Sequence, residues 1–133
     1  MVLFCPFCFA QVGRETKFCP KCGADPDDFD ALPFARKLRL ALNHPEPVTA
    51  ARAAWILGER GEHEAVEDLI RVLETTADSY LAENAALALG KLGDSRAVPN
   101  LRRAASRGTL RVRHAAAAAL GRCLSKSTGT RQV

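Results

Sequence analysis

Apolar residues recur with helical periodicity along most of the chain. Two stripes have members spaced three and four residues apart: Phe34, Leu38, Ala41 and Leu42, and Val66, Leu69, Ile70 and Leu73. This spacing places apolar side chains on one face of an α-helix. Alanine-rich segments at 53–57, 85–89 and 115–120 carry small side chains that let helices approach closely. The pattern predicts an all-α arrangement from residue 33 onward.

Part of this pattern repeats about every 32 residues. Residues 57–66 match residues 89–98 at five of ten positions, and the segment at 85–90 returns at 116–121. Self-similarity at this period is typical of α-solenoids, in which each repeat is a helical pair. The expected order is one leading helix, two helical pairs and a final unpaired helix at about 110–124.

Glycines and acids mark the expected helix ends. The turns from Gly58 to Gly61 and from Gly90 to Gly93 are predicted helix stops, because glycine readily ends a helix. Glu62 and Asp94 follow these turns, and aspartate is the better N-terminal cap. We therefore expect Asp94 to cap the next helix and Glu62 to do so poorly.

Two Cys-x-x-Cys pairs lie within the first 22 residues. Ten residues separate the pairs, enough for a short hairpin with Gly13 near its bend, and Gly23 after the last cysteine is free to take a positive φ. Four thiolates form the closed tetrahedral set that structural Zn²⁺ prefers. We expect one structural zinc ion bound by Cys5, Cys8, Cys19 and Cys22. Iron is the main alternative metal, whereas a redox dithiol needs a βαβ context that is absent.

Composition changes along the chain predict four regions. They are a zinc ribbon with a β-hairpin at 1–24, an acidic linker at 25–32, helical repeats at 33–124 and a mobile tail at 125–133. The linker carries four acids between residues 25 and 30, while residues 96–133 hold nine basic residues and no Asp or Glu. The tail offers no residues that would form a core, which is why we expect it to be mobile.

The basic C-terminal region provides a positive field for an acidic partner. Its cations could form a strip that contacts phosphates: Arg96, Arg102, Arg103, Arg107, Arg111, Arg113, Arg122, Lys126 and Arg131. The ordinary interpretation is that some of these arginines form ion pairs with acids such as Glu83 and Asp94. Stacking aromatics are missing from this half of the chain, so sequence-specific binding of single strands is not expected.

Neither membrane insertion nor export is predicted. No apolar run approaches the roughly 20 residues of a membrane-spanning helix. The apolar first ten residues lack a basic region and contain two of the cysteines, so they do not form a signal peptide. Cysteines spaced for metal and no export signal favour the cytoplasm.

No catalytic constellation stands out, and the sequence predicts a protein that is not an enzyme. Cys123 lies in an apolar stripe and is expected to be a buried, inert thiol. His63 and His114 lack a carboxylate arrangement that suggests a triad, and Trp55 is expected in the core. The Gly-x-x-Gly turns end helices and do not open them after a strand, so they are not phosphate loops.

Residues 3–24 resemble the short zinc ribbons with the pattern Cys-Pro-x-Cys-Gly, which begin many prokaryotic multidomain proteins. Phe9 departs from this pattern, since the ribbon family usually has glycine there. The resemblance implies a structural metal and an interaction surface.

Residues 47–124 resemble HEAT-like repeats of the phycobilisome-lyase type. The motifs that carry this resemblance are Ala-Ala-Trp-Ile-Leu-Gly at 53–58, Ala-Ala-Leu-Ala-Leu-Gly at 85–90, and Val112-Arg113 leading to Ala119-Leu120-Gly121. The Val-Arg pair of that family opens only the last copy. The resemblance implies an α-solenoid used for binding, and it does not imply lyase activity.

Taken together, the sequence favours a protein-binding adaptor or scaffold with one structural Zn²⁺. The partner is expected to be another protein, and the open C-terminal repeat face is expected to pack against another copy or another protein. Nucleic-acid binding through the basic helices is the alternative function, with Arg102, Arg103, Arg107, Arg111 and Arg113 as its candidate contacts.

Overall fold

A computed structural model describes the backbone of residues 3–131 and the side chains of residues 3–125. Two short strands, β1 (Leu3–Phe4) and β2 (Gln11–Val12), precede the helices. The α-helices of this part of the chain are α1 (Phe34–Ala41), α2 (Pro47–Arg60), α3 (Val66–Thr75), α4 (Ser79–Leu92), α5 (Val98–Arg107) and α6 (Leu110–Arg131). The mostly helical fold class is confirmed.

The β-hairpin encloses the first cysteine pair. Strands β1 and β2 are antiparallel, with Leu3 opposite Val12 and Phe4 opposite Gln11. The turn between them is therefore the first Cys-x-x-Cys segment, and Gly13 follows β2. The expected bend near Gly13 is present as a turn in which the Thr16 N–H donates to the Gly13 carbonyl at 3.2 Å, but the paired strands of the hairpin flank the first knuckle instead of this turn.

Residues Pro26–Ala31 form a 3₁₀ helix in the acidic segment expected to be a linker. The Asp25 carboxylate accepts a hydrogen bond from the Asp27 N–H and caps this turn. Pro26 occupies the first turn, where its missing N–H costs no hydrogen bond.

The helices form two layers of a short α-solenoid. Helices α2, α4 and α6 pack successively in one layer, while α1, α3 and α5 each pack against the following helix of that layer. The repeats are thus three helical pairs, α1–α2, α3–α4 and α5–α6. The expected final unpaired helix is wrong, since α6 packs against both α4 and α5.

Left-handed glycines end two helices of the α2–α4–α6 layer, here called the inner layer. Gly61 follows α2 with φ 69°, and Gly93 follows α4 with φ 65°. The Asp94 carboxylate then accepts from the Arg96 N–H, whereas the Glu62 side chain makes no such bond. The expected difference between these two caps is confirmed.

Gly58 and Gly90 have a different role from the helix stops that the sequence predicts. Both lie inside helices, and the helix axes are close there. A Cβ at Gly58 would lie 2.8 Å from the Ala88 Cα, and one at Gly90 would lie 2.8 Å from the Ala119 Cα. These glycines let neighbouring helices of the inner layer pack backbone to backbone.

One continuous apolar core joins the repeats. Its largest fully buried side chains in the helical part are Leu57, Val66, Leu69, Leu89, Leu92, Leu101 and Cys123. Alanines of α2, α4 and α6 fill the space between these side chains. The core therefore combines large side chains with close helix contacts, as the alanine-rich segments predict.

Helix α6 continues beyond residue 124, where the sequence predicts its end. The backbone is helical as far as Arg131. Residues 125–131 contain no proline, so every residue of this stretch can donate a helical N–H. The expected mobility of the tail remains a prediction, and residues 132 and 133 lie outside the described part of the chain.

Within the described residues, each helix is too short or too polar to cross a bilayer.

Candidate functional site

The two cysteine pairs fold into two knuckles with the same hydrogen bonds. In the first, the Cys5 N–H donates to the Ala10 carbonyl and the Phe9 N–H donates to the Cys5 carbonyl. In the second, the Cys19 N–H donates to the Ala24 carbonyl and the Gly23 N–H donates to the Cys19 carbonyl. Each tight turn directs its two sulfurs toward those of the other knuckle.

The four sulfurs have the spacing of a tetrahedral metal site. All four Sγ atoms lie within 4.8 Å of one another. The Cys5 and Cys22 sulfurs are 3.7 Å apart, and the Cys8 and Cys19 sulfurs are 3.6 Å apart. Metal–sulfur bonds of about 2.3 Å in a tetrahedron separate the sulfurs by about 3.8 Å. The predicted ligands are therefore together and could hold one metal ion.

The local environment shifts the pKa values of two of these thiols in opposite directions. Hydrogen bonding from the Cys22 backbone lowers the pKa of Cys19 to about 6, against an opposing effect of burial. Although the Ala24 N–H lowers the pKa of Cys22, burial and the contacts with the other thiols raise it to about 12. Backbone N–H groups thus already stabilise negative charge at the cluster, as metal–thiolate sites require.

Phe9 retains the knuckle geometry in spite of replacing glycine. Its φ is 64°, close to the 78° of Gly23 at the equivalent position of the second knuckle. A left-handed conformation costs a residue with a side chain about 1–2 kcal/mol. The Phe9 ring packs against the His44 ring in the α1–α2 connection, with centroids 5.0 Å apart. This contact connects the ribbon to the repeats and offsets part of the strain.

The basic C-terminal arginines do not form one uninterrupted strip. Arg103 donates to both Glu74 oxygens at 3.0 Å, and Arg111 donates to Glu83 at 3.2 Å. Arg96 pairs with Glu67 and Asp94, and its guanidinium lowers the pKa of Asp94. The expected ion pairs with Glu83 and Asp94 are confirmed.

Four other arginines of this region have no carboxylate within 4 Å among the described side chains: Arg102, Arg107, Arg113 and Arg122. Two lie on α5 and two on α6. Of the five candidate phosphate contacts, the structure therefore leaves Arg102, Arg107 and Arg113 available, while Arg103 and Arg111 are engaged.

Trp55 lies at the surface, and its expected place in the core is wrong. The side chain is 51% exposed, and Lys91 lies over its ring with Nζ 5.3 Å from the centroid. The buried stripe of α2 contains Ala50, Ala54 and Leu57, so position 55 points away from it. The equivalent of Trp55 in the third repeat is the exposed Ala118. The angular position of residue 55 on the helix, away from the apolar stripe, was the sequence signal that could have predicted its exposure.

Exposed apolar side chains of the repeats concentrate on one layer. They are Val48 and Trp55 on α2, Tyr80 on α4, and Leu110 and Leu124 on α6, with Phe34 on α1 outside this layer. Among the described side chains, α3 and α5 carry no exposed large apolar residue. The α2–α4–α6 layer is therefore the apolar surface of the solenoid.

The groups considered for catalysis stay apart from one another. Cys123 is buried, and its Sγ lies 3.7 Å from the Leu89 carbonyl oxygen, which confirms the expected core position. His63 opens the turn before α3, and His114 lies on the exposed face of α6. Within the described residues, neither histidine forms a side-chain hydrogen bond to a carboxylate.

Comparison with known proteins agrees with this architecture. A family model for HEAT repeats matches residues 35–121, which cover α1 to the middle of α6. No curated protein matches the sequence. The family match spans more than half of the chain and coincides with the three helical pairs, so this chain belongs to the HEAT-repeat family.

Proposed function

We propose that this chain is a protein-binding scaffold with no catalytic activity, in which a structural zinc ion holds the N-terminal ribbon. HEAT repeats commonly mediate contacts between proteins, and the four sulfurs have the number and spacing that structural Zn²⁺ takes. We also propose that the repeats are of the phycobilisome-lyase type and that the protein is located in the cytoplasm.

The observation that carries the proposal is the one-sided distribution of exposed apolar side chains. Among the described side chains, five large apolar residues are exposed on the α2–α4–α6 layer, against one, Phe34, on the layer of α1, α3 and α5. Exposed apolar side chains gathered on one surface mark interaction sites more often than scattered single ones do. A partner that covers this layer would remove them from water.

Affinity capture tests this function directly. The tagged full-length chain, purified with its metal, is expected to retain specific proteins from its native lysate, and nuclease treatment should leave them bound. The matched control is the double variant Trp55→Ala, Tyr80→Ala, which changes only exposed positions of the apolar layer. Retention of no specific protein by the wild-type chain, or retention only without nuclease, would contradict the proposal. Loss of retention by the double variant would locate the contact on the apolar layer.

Nucleic-acid binding stays as a second candidate because of the four arginines without acidic partners. These arginines face solvent on α5 and α6, and each can contact a phosphate. Titration with random duplex and single-stranded oligonucleotides at low salt, followed by fluorescence anisotropy, distinguishes nucleic-acid binding from protein binding. Salt-sensitive binding at micromolar concentrations would favour this candidate.

The open face of α6 is a proposed contact with a second copy. Gly121 is equivalent to Gly90, which lies against Ala119, yet no described atom approaches a Cβ position at Gly121 within 4 Å. Light scattering is expected to show self-association as concentration rises, and Gly121→Arg should reduce it because the close approach is blocked. A wild-type chain that stays monomeric at high concentration rules this contact out.

A further inference from the structure

A cavity of about 400 Å³ opens on the surface between α2 and α4. Its lining residues are Ala51, Arg52, Trp55, Ile56, Tyr80 and Asn84. Trp55 and Tyr80 are 51% and 43% exposed, so aromatic surface from two consecutive repeats borders the same space. Tryptophan, tyrosine and arginine are the side chains most enriched where protein partners bind tightly.

Asn84 adds a buried polar group to this cavity. It is 9% exposed and is the one buried polar side chain of the described residues. Its amide nitrogen donates to the Tyr80 carbonyl at 2.9 Å, while its amide oxygen has no hydrogen-bond partner among the described residues. Since no fully buried side-chain oxygen of these residues lacks a partner, the Asn84 oxygen is accessible. It can accept a hydrogen bond from a ligand N–H.

Two cations, Arg52 and Lys91, lie beside the aromatic pair. Arg52 has no carboxylate within 4 Å among the described side chains. Lys91 lies over the Trp55 ring, pairs with Glu59, and also lines a second cavity of about 580 Å³. Arg122, without an acidic partner in the described region, lines that second cavity as well. Basic groups therefore continue from α2 across α4 to α6.

We propose that these two cavities form one groove across the layer, and that this groove binds an extended acidic peptide that places one bulky apolar side chain between Trp55 and Tyr80. The Asn84 oxygen accepts a main-chain N–H of the peptide, and Arg52 and Arg122 attract its carboxylates. The inference rests on the proposed protein-binding function and specifies the chemistry of the partner. It uses the cations of the inner layer, which are separate from Arg102 and Arg107 on α5.

The groove suits a peptide better than a nucleic acid. Glu59 lies one helical turn after Trp55 and neutralises Lys91. Among the described side chains, Arg52 is the one cation that lines the aromatic cavity. A polynucleotide presents a phosphate at every residue and needs many cations along its path. A peptide with a few carboxylates and one apolar anchor matches a cavity that combines two aromatics, an amide and one arginine.

Selection from a library of random short peptides, displayed against the metal-loaded full-length chain, tests the inference. The selected peptides are expected to be rich in Asp and Glu around one large apolar residue. A fluorescent synthetic peptide of the selected sequence should bind Trp55→Ala at least about tenfold more weakly in anisotropy titrations. Arg52→Glu should weaken binding at low salt, and Arg52→Lys should retain most of it.

Phe34→Ala is the matched control, because Phe34 is exposed on α1, outside the α2–α4–α6 layer and outside both cavities. It should bind the peptide as the wild type does, and circular dichroism should show equal helicity for all variants. The inference is overturned if no peptide is selected, if selected peptides are basic, if Trp55→Ala binds them equally, or if oligothymidine displaces them at lower concentration. Lysate capture separately reports whether the broader scaffold function survives.

Discussion

Removal of the metal is expected to unfold residues 3–24 and to leave the helical repeats folded. The ribbon has almost no hydrophobic core, since Cys5 and Cys19 are its only buried side chains among the described residues. Fixing each backbone residue costs about 1–2 kcal/mol of conformational entropy. Two short paired strands and two knuckle turns cannot offset that cost without the ligand bonds.

A metal bound by the four cysteines would supply the missing free energy. Structural zinc contributes about 10–16 kcal/mol to the folding of zinc-finger peptides. The continuous apolar core of the solenoid contains no residue before Leu38, so its stability does not depend on the cysteine cluster. Loss of the metal should therefore be a local event, transmitted to the repeats mainly through the Phe9–His44 contact.

Hydrogen exchange and plasma emission measure the two parts of this expectation. Native chain should contain one metal atom, identified as zinc, and a strong chelator should abolish amide protection in residues 3–24 while residues 35–121 stay protected. Cys19→Ala should reproduce the chelated state. Cys123→Ala is the matched control, because it removes a thiol from the repeat core and should leave one metal per chain. Protection of the ribbon amides after complete chelation would show that the metal is not structural.

The cysteine cluster could be predicted because it depends on local spacing. Two residues between cysteines limit each knuckle to one tight turn, and the tetrahedral requirement brings the knuckles together. The position of the hairpin was harder to predict from the sequence, because Gly13 and the first knuckle can both reverse the chain. Only the pairing of Leu3 with Val12 distinguishes them, and that pairing involves two residues per strand.

The helices could be predicted from periodicity, but their pairing could not. A stripe such as Val66, Leu69 and Leu73 shows that one face is buried and does not say which neighbour buries it. The structure assigns α3 to α4 and α5 to α6, which leaves no unpaired final helix. The connections between helices run from two to five residues, which is short enough to join packed neighbours in either phase of pairing, so tertiary packing decides between them.

Gly58 and Gly90 show that glycine has two structural roles that the sequence alone does not distinguish. Glycine ends helices through left-handed φ, as Gly61 and Gly93 do, and it also permits backbones to touch. The first use requires a particular local conformation, and the second requires a partner helix that is distant in sequence. Gly90 and Gly121 are about 31 residues apart and therefore occupy equivalent positions of consecutive repeats. Comparing substitutions at these two positions tests the role of glycine in backbone contact.

Gly90→Val is expected to destabilise the repeats strongly, whereas Gly121→Val should be tolerated. A Cβ at Gly90 would lie 2.8 Å from both Cα and Cβ of Ala119, well inside the contact distance of carbon atoms. Helices α4 and α6 would have to separate by roughly 1 Å to admit it, given that carbons pack at about 3.5–4.0 Å. At Gly121 no described atom lies within 4 Å of the same position.

Gly90→Val and Gly121→Val change helix propensity equally, so a difference between their free energies of unfolding reports packing. Replacing glycine by valine inside a helix gains a few tenths of a kcal/mol at either site. Overpacking at Gly90 should outweigh this gain and lower the free energy of unfolding by about 3 kcal/mol. At Gly121 the gain should remain, so the stability of the monomer should be unchanged or slightly higher.

Urea unfolding followed by circular dichroism measures both free energies, at a protein concentration low enough to exclude self-association. The Gly90→Val midpoint should fall well below that of the wild type, and the Gly121→Val midpoint should match it or rise. Gly58→Val, which meets Ala88 at the same distance, should behave as Gly90→Val does. Equal stability of the Gly90 and Gly121 variants would mean that α4 and α6 are not in backbone contact, and the layered packing described for these helices would be incorrect.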